Sequence, residues 1–193
     1  MTWQPDEFED LGNELRRRMG AELRDEAEEI ERLIELQRRR QATLAEVART
    51  AMHGGDSVTL MIGKRRWAGS LTAVGDDYLA LDSGESTVEC PLASALISLD
   101  PARSGGRSGR PESATWRARL AELATDGDAI RLLMNDGEEI ACSIEVVAVD
   151  HLEVSSDRSS YVPLDLVVAI IRDRSSHGPH RFPPPPDERA GTR

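Results

Sequence analysis

A short segment that occurs twice in the chain decides the fold, GDSVTL at residues 55–60 and GDAIRL at residues 127–132. Further landmarks match in the same order: DYLAL at 77–81 with DHLEV at 150–154, and Pro-Leu at 91–92 with Pro-Leu at 163–164. The offsets are 72, 73 and 72 residues, which places a one-residue slip at a turn. This order indicates that one structural unit has been duplicated.

Each copy carries short apolar runs separated by turn residues, a pattern typical of strands in a small barrel or sandwich. Similar helical stretches, LAEVA at 44–48 and LAELA at 120–124, precede the two copies. Each unit is therefore predicted to contain one helix and about five strands. A sheet this small must curl strongly, and small residues permit the bend. Gly69 suits that position in the first copy, and Ala141 and Cys142 lie in the aligned region of the second.

The chain before the first copy predicts one long helix over residues 6–52, since it has no internal Pro and is rich in good helix formers. Such a helix would be about 70 Å long. Apolar residues recur about every 3.7 positions, which predicts a slight right-handed supercoil. We expect this stripe to associate with other copies; the alternative is a helix that folds back on its own barrels. The residues expected to self-associate are Leu11, Leu15, Met19, Leu23, Ile30 and Ile34.

These patterns predict an α+β protein with a coiled-coil-like N-terminal helix and two tandem small β-barrels, each preceded by a helix. The predicted boundaries are 1–53 for the long helix, 54–100 for the first barrel, 101–112 for a flexible linker, 113–173 for a helix and the second barrel, and 174–193 for a disordered Pro-rich tail. Ser113 is a candidate cap for the second helix.

Composition limits the class of function. The chain has 193 residues, and 35 acids outnumber 24 bases for a net charge of −11, which argues against a general polyanion binder. No apolar run approaches the ~20 residues of a membrane span, and the N-terminus lacks the pattern of a signal peptide. Two cysteines are too few for a disulfide framework. We therefore expect a cytoplasmic protein without membrane contact.

One basic cluster, Lys64-Arg65-Arg66-Trp67, is predicted to lie in the first hairpin of the first copy. Bases beside an aromatic ring suit contact with nucleic acid or an acidic partner. The alternative is a solvated hairpin with Trp67 packed on its barrel. The second copy carries DGEE at the corresponding residues 136–139, so the first copy of one molecule could also meet the second copy of another, head to tail.

The residues that usually carry catalysis are scarce. Cys90 and Cys142 occupy different places in the two copies, which favours buried structural thiols over a duplicated ligand pair. His177 and His180 are too few for a metal site. No nucleophile elbow, phosphate-binding loop or zinc-protease helix is present. We expect no catalytic residue, no cofactor and no metal.

The order of helix, Gly-Asp-x-Val-x-Leu, short turn, bent strand, Asp-x-Leu-x-Leu strand and closing apolar strand resembles the Sm-like small β-barrels, here as a tandem duplication. Other small barrels, such as the PRC type, share much of this order. The Sm-like resemblance implies ring assembly and single-stranded RNA binding. The family's RNA site has an Asn after the Asp of the third-strand loop and an Arg-Gly turn before the last strand. Here Tyr78 follows Asp77, His151 follows Asp150, and neither copy has the Arg-Gly pair, so the RNA site does not carry over.

The preferred functional prediction is a non-enzymatic oligomeric scaffold. Its helix would join copies into a homo-oligomer, and its barrels would present loops and edges to protein partners that the sequence does not identify. The alternative is an Sm-like RNA-binding regulator that uses Lys64, Arg65, Arg66 and Trp67.

Overall fold

The structure, a computed structural model, describes residues 5–101 and 114–174, with side chains from Arg18 onward except those of Ala21 and Asp25. Several predictions lie outside the described residues: the linker from 102 to 112, the cap Ser113, the tail from 175 to 193 with its two histidines, and the side chains of Leu11 and Leu15.

Within the described ranges the chain forms three α-helices and ten strands. The helices are α1 (Pro5–Gln41), α2 (Leu44–Gly54) and α3 (Trp116–Asp126). The strands of the first copy are β1 (Ser57–Ile62), β2 (Arg65–Val74), β3 (Tyr78–Asp82), β4 (Ser86–Pro91) and β5 (Leu96–Asp100). Those of the second copy are β6 (Ile130–Met134), β7 (Glu139–Val147), β8 (His151–Ser155), β9 (Ser159–Pro163) and β10 (Val167–Asp173). Short 3₁₀ turns, Leu92–Ser94 and Leu164–Leu166, precede the last strand of each copy.

The helix predicted over residues 6–52 is two helices in the structure. α1 ends at Gln41 and α2 begins at Leu44. Thr43 and Glu46 have the S/T-x-x-E spacing of a capping box, which marks the start of a new helix and explains the break. The chain divides into two compact units here, Met1–Thr43 and Leu44–Arg193.

All ten strands belong to one antiparallel sheet with the order β5-β1-β2-β3-β4-β10-β6-β7-β8-β9. The predicted N-terminal helix and antiparallel strands are confirmed. The two tandem barrels are not: the sheet is open, and the copies share it. The physical reason is that β4 of the first copy pairs with β10 of the second. One edge of each copy is therefore hydrogen-bonded to the other copy and does not close a barrel within its own.

The two halves of the sheet repeat one another. Each half places its last strand beside its first, and strands two to four follow in sequence. Helices α2 and α3 each have 11 residues and start 72 residues apart. Their buried positions match at this offset, with Ala48 and Ala51 in α2 and Leu120 and Leu123 in α3. The LAEVA and LAELA stretches, offset by 76, are therefore not the structurally equivalent residues.

The Gly that opens each repeated segment ends a helix. Gly55 has φ +74° and Gly127 has φ +67°, a left-handed conformation that glycine adopts without strain. The Gly127 N–H donates to the Leu123 carbonyl at 3.2 Å, and the Gly55 N–H donates to the Met52 carbonyl at 3.2 Å. Both glycines thus turn the chain from a helix into the first strand of a copy.

Each copy completes the core of the other. The first core gathers apolar residues from α2 and β1–β4, and it also includes Leu133, Ala169 and Ile171 from the second copy. The second core includes Tyr78 from the first copy, whose ring centroid lies 6.1 Å from that of Trp116. The halves of the sheet are therefore one packed body.

Candidate interaction surface

Strands β4 and β10 form the junction between the two copies. Their antiparallel register places Glu89 opposite Ile170 and Thr87 opposite Arg172. Glu89 is fully buried, whereas charged side chains are rarely buried unless they are paired. The junction therefore needs cations close to this carboxylate.

Two arginines of the second copy supply them. Arg119 in α3 donates from Nε to Glu89 Oε2 at 2.6 Å and from Nη2 to Oε1 at 3.0 Å, the bidentate geometry of a strong ion pair. Arg172 in β10 donates from Nη2 to Oε1 at 2.5 Å. Glu122 also accepts from Arg119, at 2.8 Å. The hydrogen bond to Glu89 is the main reason that the pKa of Arg119 is raised.

The start of α3 docks on the β2–β3 turn of the first copy. The Trp116 N–H donates to Asp77 Oδ1 at 2.6 Å, and the Asp76 N–H donates to the Ala114 carbonyl at 2.7 Å. Thr115 is the N-cap of α3 and accepts from the Ala118 N–H at 3.3 Å. Strand pairing, the buried ion cluster and this helix start together define the junction.

Sequence reasoning missed the Glu89 cluster. The alternation Val88-Glu89-Cys90 predicts that Glu89 faces solvent, because its neighbours are the apolar residues of the strand. The two arginines lie 30 and 83 residues along the chain, and no local pattern links them to Glu89. A single charged residue between two apolar residues of a strand is the only local signal in the sequence.

The outer strands of the sheet, β5 and β9, have no neighbour on one side among the described strands. They are the equivalents of β10 and β4, which are mostly buried. In contrast, most residues of β5 and β9 are exposed. Large apolar side chains are among them: Leu96 is 58% exposed and Tyr161 is 67% exposed. The sheet thus ends at two edges that each expose a large apolar or aromatic side chain and that correspond to the two sides of its own junction.

Comparison with known proteins adds no family to this description. No protein-family profile matches the chain, and no curated protein matches it. A fold by itself does not specify a function, so the function has to be argued from the surfaces of this chain.

The basic cluster Lys64-Arg65-Arg66-Trp67 surrounds the β1–β2 turn. Arg65 forms an ion pair with Glu139 and donates to the Gly137 carbonyl at 3.4 Å. The hairpins of opposite charge therefore meet within one chain, whereas the sequence suggested a contact between molecules. Trp67 is half-buried against the first core, and Lys64 and Arg66 are exposed. Only these two bases of the cluster still point to solvent without an ion pair in the described residues.

Helix α1 exposes its apolar stripe in the described part. Met19, Leu23, Ile30 and Ile34 are each more than half exposed. Arg39 pairs with Glu35 at 2.8 Å, on the same exposed helix. An apolar stripe in water is unfavourable, so α1 offers a second apolar surface besides the sheet edges.

Other chemistry finds little support in the described ranges. No group of three or more His, Cys, Asp or Glu side chains is placed to hold a metal ion there. Among the described helices, none combines the length and the apolar character needed to cross a membrane. A cleft of about 460 Å³ opens beside Gly69, and two of its three charged groups, Arg174 and Asp82, pair with one another at 3.0 Å.

Both cysteines are buried and are predicted to be unreactive in the folded protein. Burial, followed by the charge of Glu89, raises the pKa of Cys90 to about 12, and burial raises that of Cys142 to about 11. Because the thiolate is the reactive form, both thiols should resist Ellman's reagent at pH 8 and react fully in guanidinium chloride. Rapid reaction of either thiol in the native protein would contradict their burial.

Proposed function

We propose that this chain is a non-enzymatic oligomeric scaffold whose α1 helix joins copies of itself. The exposed apolar stripe of α1 carries the proposal, because a long helix with such a stripe gains stability chiefly by packing it against another surface. Its average spacing in the sequence, about 3.7 residues, is close to that of an eleven-residue repeat, which favours association with only slight supercoiling.

The body formed by α2, α3 and the sheet is the part of the scaffold that meets other proteins. Its two outer edges offer strands that have no neighbour on one side among the described strands, and strand addition is a common mode of protein recognition. The cytoplasm is the compartment that we propose, because the cysteine content of the chain suits reducing conditions.

Substitution of the stripe tests the proposal. The full chain carrying Leu23→Gln, Ile30→Gln and Ile34→Gln should sediment at a lower average mass than the wild type, because three apolar contacts become polar. Leu36→Gln is the matched control: Leu36 is 45% exposed but lies on the opposite side of α1. Equal masses for the triple variant and the wild type at every concentration would refute association through α1.

An Sm-like RNA-binding regulator is the second proposal. Exposed Lys64 and Arg66 support it, whereas the ion pair of Arg65 with Glu139 weakens it. Binding of a single-stranded RNA at micromolar concentration should then weaken steeply with added salt and be lost in Lys64→Glu with Arg66→Glu. RNA binding that survives this double substitution would exclude the hairpin as the contact.

A further inference from the structure

We infer that the two open edges of the sheet, β5 and β9, pair with the opposite edges of further copies of this chain and repeat the β4–β10 junction between molecules. The inference rests on the proposed scaffold function and names the occupant of its edges. It depends on a different surface from α1, so either contact can fail alone.

The outer strands are equivalent to the two strands of the internal junction. β9 occupies in the second copy the place of β4 in the first, and β5 occupies the place of β10. Tyr161 corresponds to Glu89, since each lies two residues before the Pro that ends its strand. Ile97 of β5 pairs with Leu60, and Ile170 of β10 pairs with the equivalent residue, Leu132. Ile97 therefore corresponds to Ile170. Two residues further along each strand, Leu99 corresponds to Arg172. The chain thus contains both sides of a second junction.

Apolar and aromatic residues take the place of the buried ion cluster at the open edges. Val47 and Arg119 are each the fourth residue of their helix, α2 and α3. The three charged groups that meet at Glu89 therefore have apolar or aromatic equivalents at the open edges: Val47 for Arg119, Leu99 for Arg172 and Tyr161 for Glu89. All three equivalents are exposed, at 38%, 38% and 67%. Replacing a buried ionic triad by well-packed apolar side chains is known to preserve or strengthen a contact.

The residues that the internal register would bring opposite one another at the open edges are complementary. The internal junction places Ser86 opposite Asp173 and Val88 opposite Ile171. Applied to β9 of one molecule and β5 of another, the same register places Arg158 opposite Asp100 and Ser160 opposite Ser98. Opposite charges facing one another across antiparallel strands are favourable, and no like charges meet.

The helix start has an equivalent too. Ala42-Thr43-Leu44 before α2 corresponds to Ala114-Thr115-Trp116 before α3, and Asp150 corresponds to Asp77. In a chain-to-chain junction the Leu44 N–H of one molecule would donate to the Asp150 carboxylate of the next, as Trp116 does to Asp77. Val149, which corresponds to Asp76, is 82% exposed and would be covered.

Such a contact is heterologous, because β9 of one molecule meets β5 of another. Heterologous contacts form a ring when the rotation closes and a filament when it does not. An exposed strand edge with large apolar side chains also associates readily, which makes a second copy a physically suitable occupant.

Complementary variants test the inference in the full chain with the α1 substitutions Leu23→Gln, Ile30→Gln and Ile34→Gln as background. Tyr161→Glu should weaken self-association about 100-fold, because a carboxylate is buried against Val47 and Leu99. Val47→Arg with Leu99→Arg should do the same, because two cations then face Tyr161. An equimolar mixture of the two variants should recover association to within about tenfold. The β9 edge of the Val47→Arg, Leu99→Arg chain and the β5 edge of the Tyr161→Glu chain are unaltered and can form the original junction. The two altered edges bring the introduced carboxylate beside the two introduced guanidinium groups.

Tyr161→Phe is the matched control and should leave association unchanged. Both charge variants should lose association without a change in melting temperature, since all three substituted positions are exposed in the single chain. A background chain that is monomeric at ~100 µM overturns the inference and leaves the α1 proposal intact. The inference is also overturned if the equimolar mixture associates no better than the separate variants. It is overturned as well if the Tyr161→Glu chain associates as strongly as the background chain.

A disulfide test reads the register directly. Ser160→Cys with Ser98→Cys places the new thiols opposite one another, within the reach of a disulfide. Oxidation should give a ladder of covalent dimers and higher species on a non-reducing gel. Ser160→Cys with Leu96→Cys shifts one thiol by two residues and should crosslink much less. An equal ladder from both pairs, or from neither, would contradict the transferred register.

Discussion

Glu89→Gln is expected to lower the free energy of unfolding by about 3 kcal/mol, since it removes the buried carboxylate that two partly buried arginines share. Glu89 is fully buried and holds Arg119 through two hydrogen bonds and Arg172 through one. The loss corresponds to a fall in melting temperature of roughly 10 °C for a body of this size. Urea unfolding followed by circular dichroism measures it.

Two further variants control this prediction. Glu85→Gln removes an exposed acid from the turn before β4 and should change the stability by less than about 0.5 kcal/mol. Arg119→Val, Glu89→Tyr and Arg172→Leu together replace the ionic cluster by the residues of the open edges. The triple variant should be more stable than Glu89→Gln, because the buried carboxylate and both of its cations are removed together and only the partly exposed Glu122 loses a partner. A Glu89→Gln protein as stable as the wild type would show that the cluster does not hold the junction.

Gly69→Ala is expected to cost about 3 kcal/mol, because β2 passes too close to β3 for any side chain at this position. A Cβ on Gly69 would lie 2.0 Å from the Asp82 carbonyl oxygen and 3.0 Å from the Ser83 Cα. Both obstacles are backbone atoms, which cannot rotate away as a side chain can. The variant should therefore unfold at a lower urea concentration than the wild type.

Gly20→Ala provides the matched substitution without the clash. Gly20 lies in α1 with no heavy atom within 4 Å of an added Cβ, so alanine should favour the helix by about 0.5–1 kcal/mol. If Gly69→Ala were as stable as the wild type, the close approach of β2 to the β3–β4 turn would not restrict that position.

The sequence predicted the elements of this fold better than their assembly. Alternating apolar residues and repeated glycines fix where strands begin and where helices end, because these depend on nearby residues. Gly69 was predicted at a bend from its place in the repeat, and the approach of Asp82 explains why it must be glycine. The break between α1 and α2 also had a local signal, the capping-box spacing of Thr43 and Glu46, which an uninterrupted run of helix formers obscured.

Assembly of the two copies could not be read in the same way. A strand edge pairs with whichever edge lies beside it, and the pattern of β4 is the same whether its neighbour is β5 of its own copy or β10 of the other. The ion pair between Arg65 and Glu139 is a second contact whose partner could not be assigned from the sequence. Sequence reasoning recognised hairpins of opposite charge but had no means of deciding whether they meet within one chain or between two.

Sedimentation of four full-length chains tests the central claim, self-association through two separate surfaces, most directly. These are the wild type, the α1 triple variant, Tyr161→Glu and the combination of both. We expect the wild type to have the highest average mass at ~100 µM, each single-surface variant to have a lower one, and the combined variant to sediment as a 21.2 kDa monomer. A monomeric wild type, or a combined variant as large as the wild type, would contradict the account.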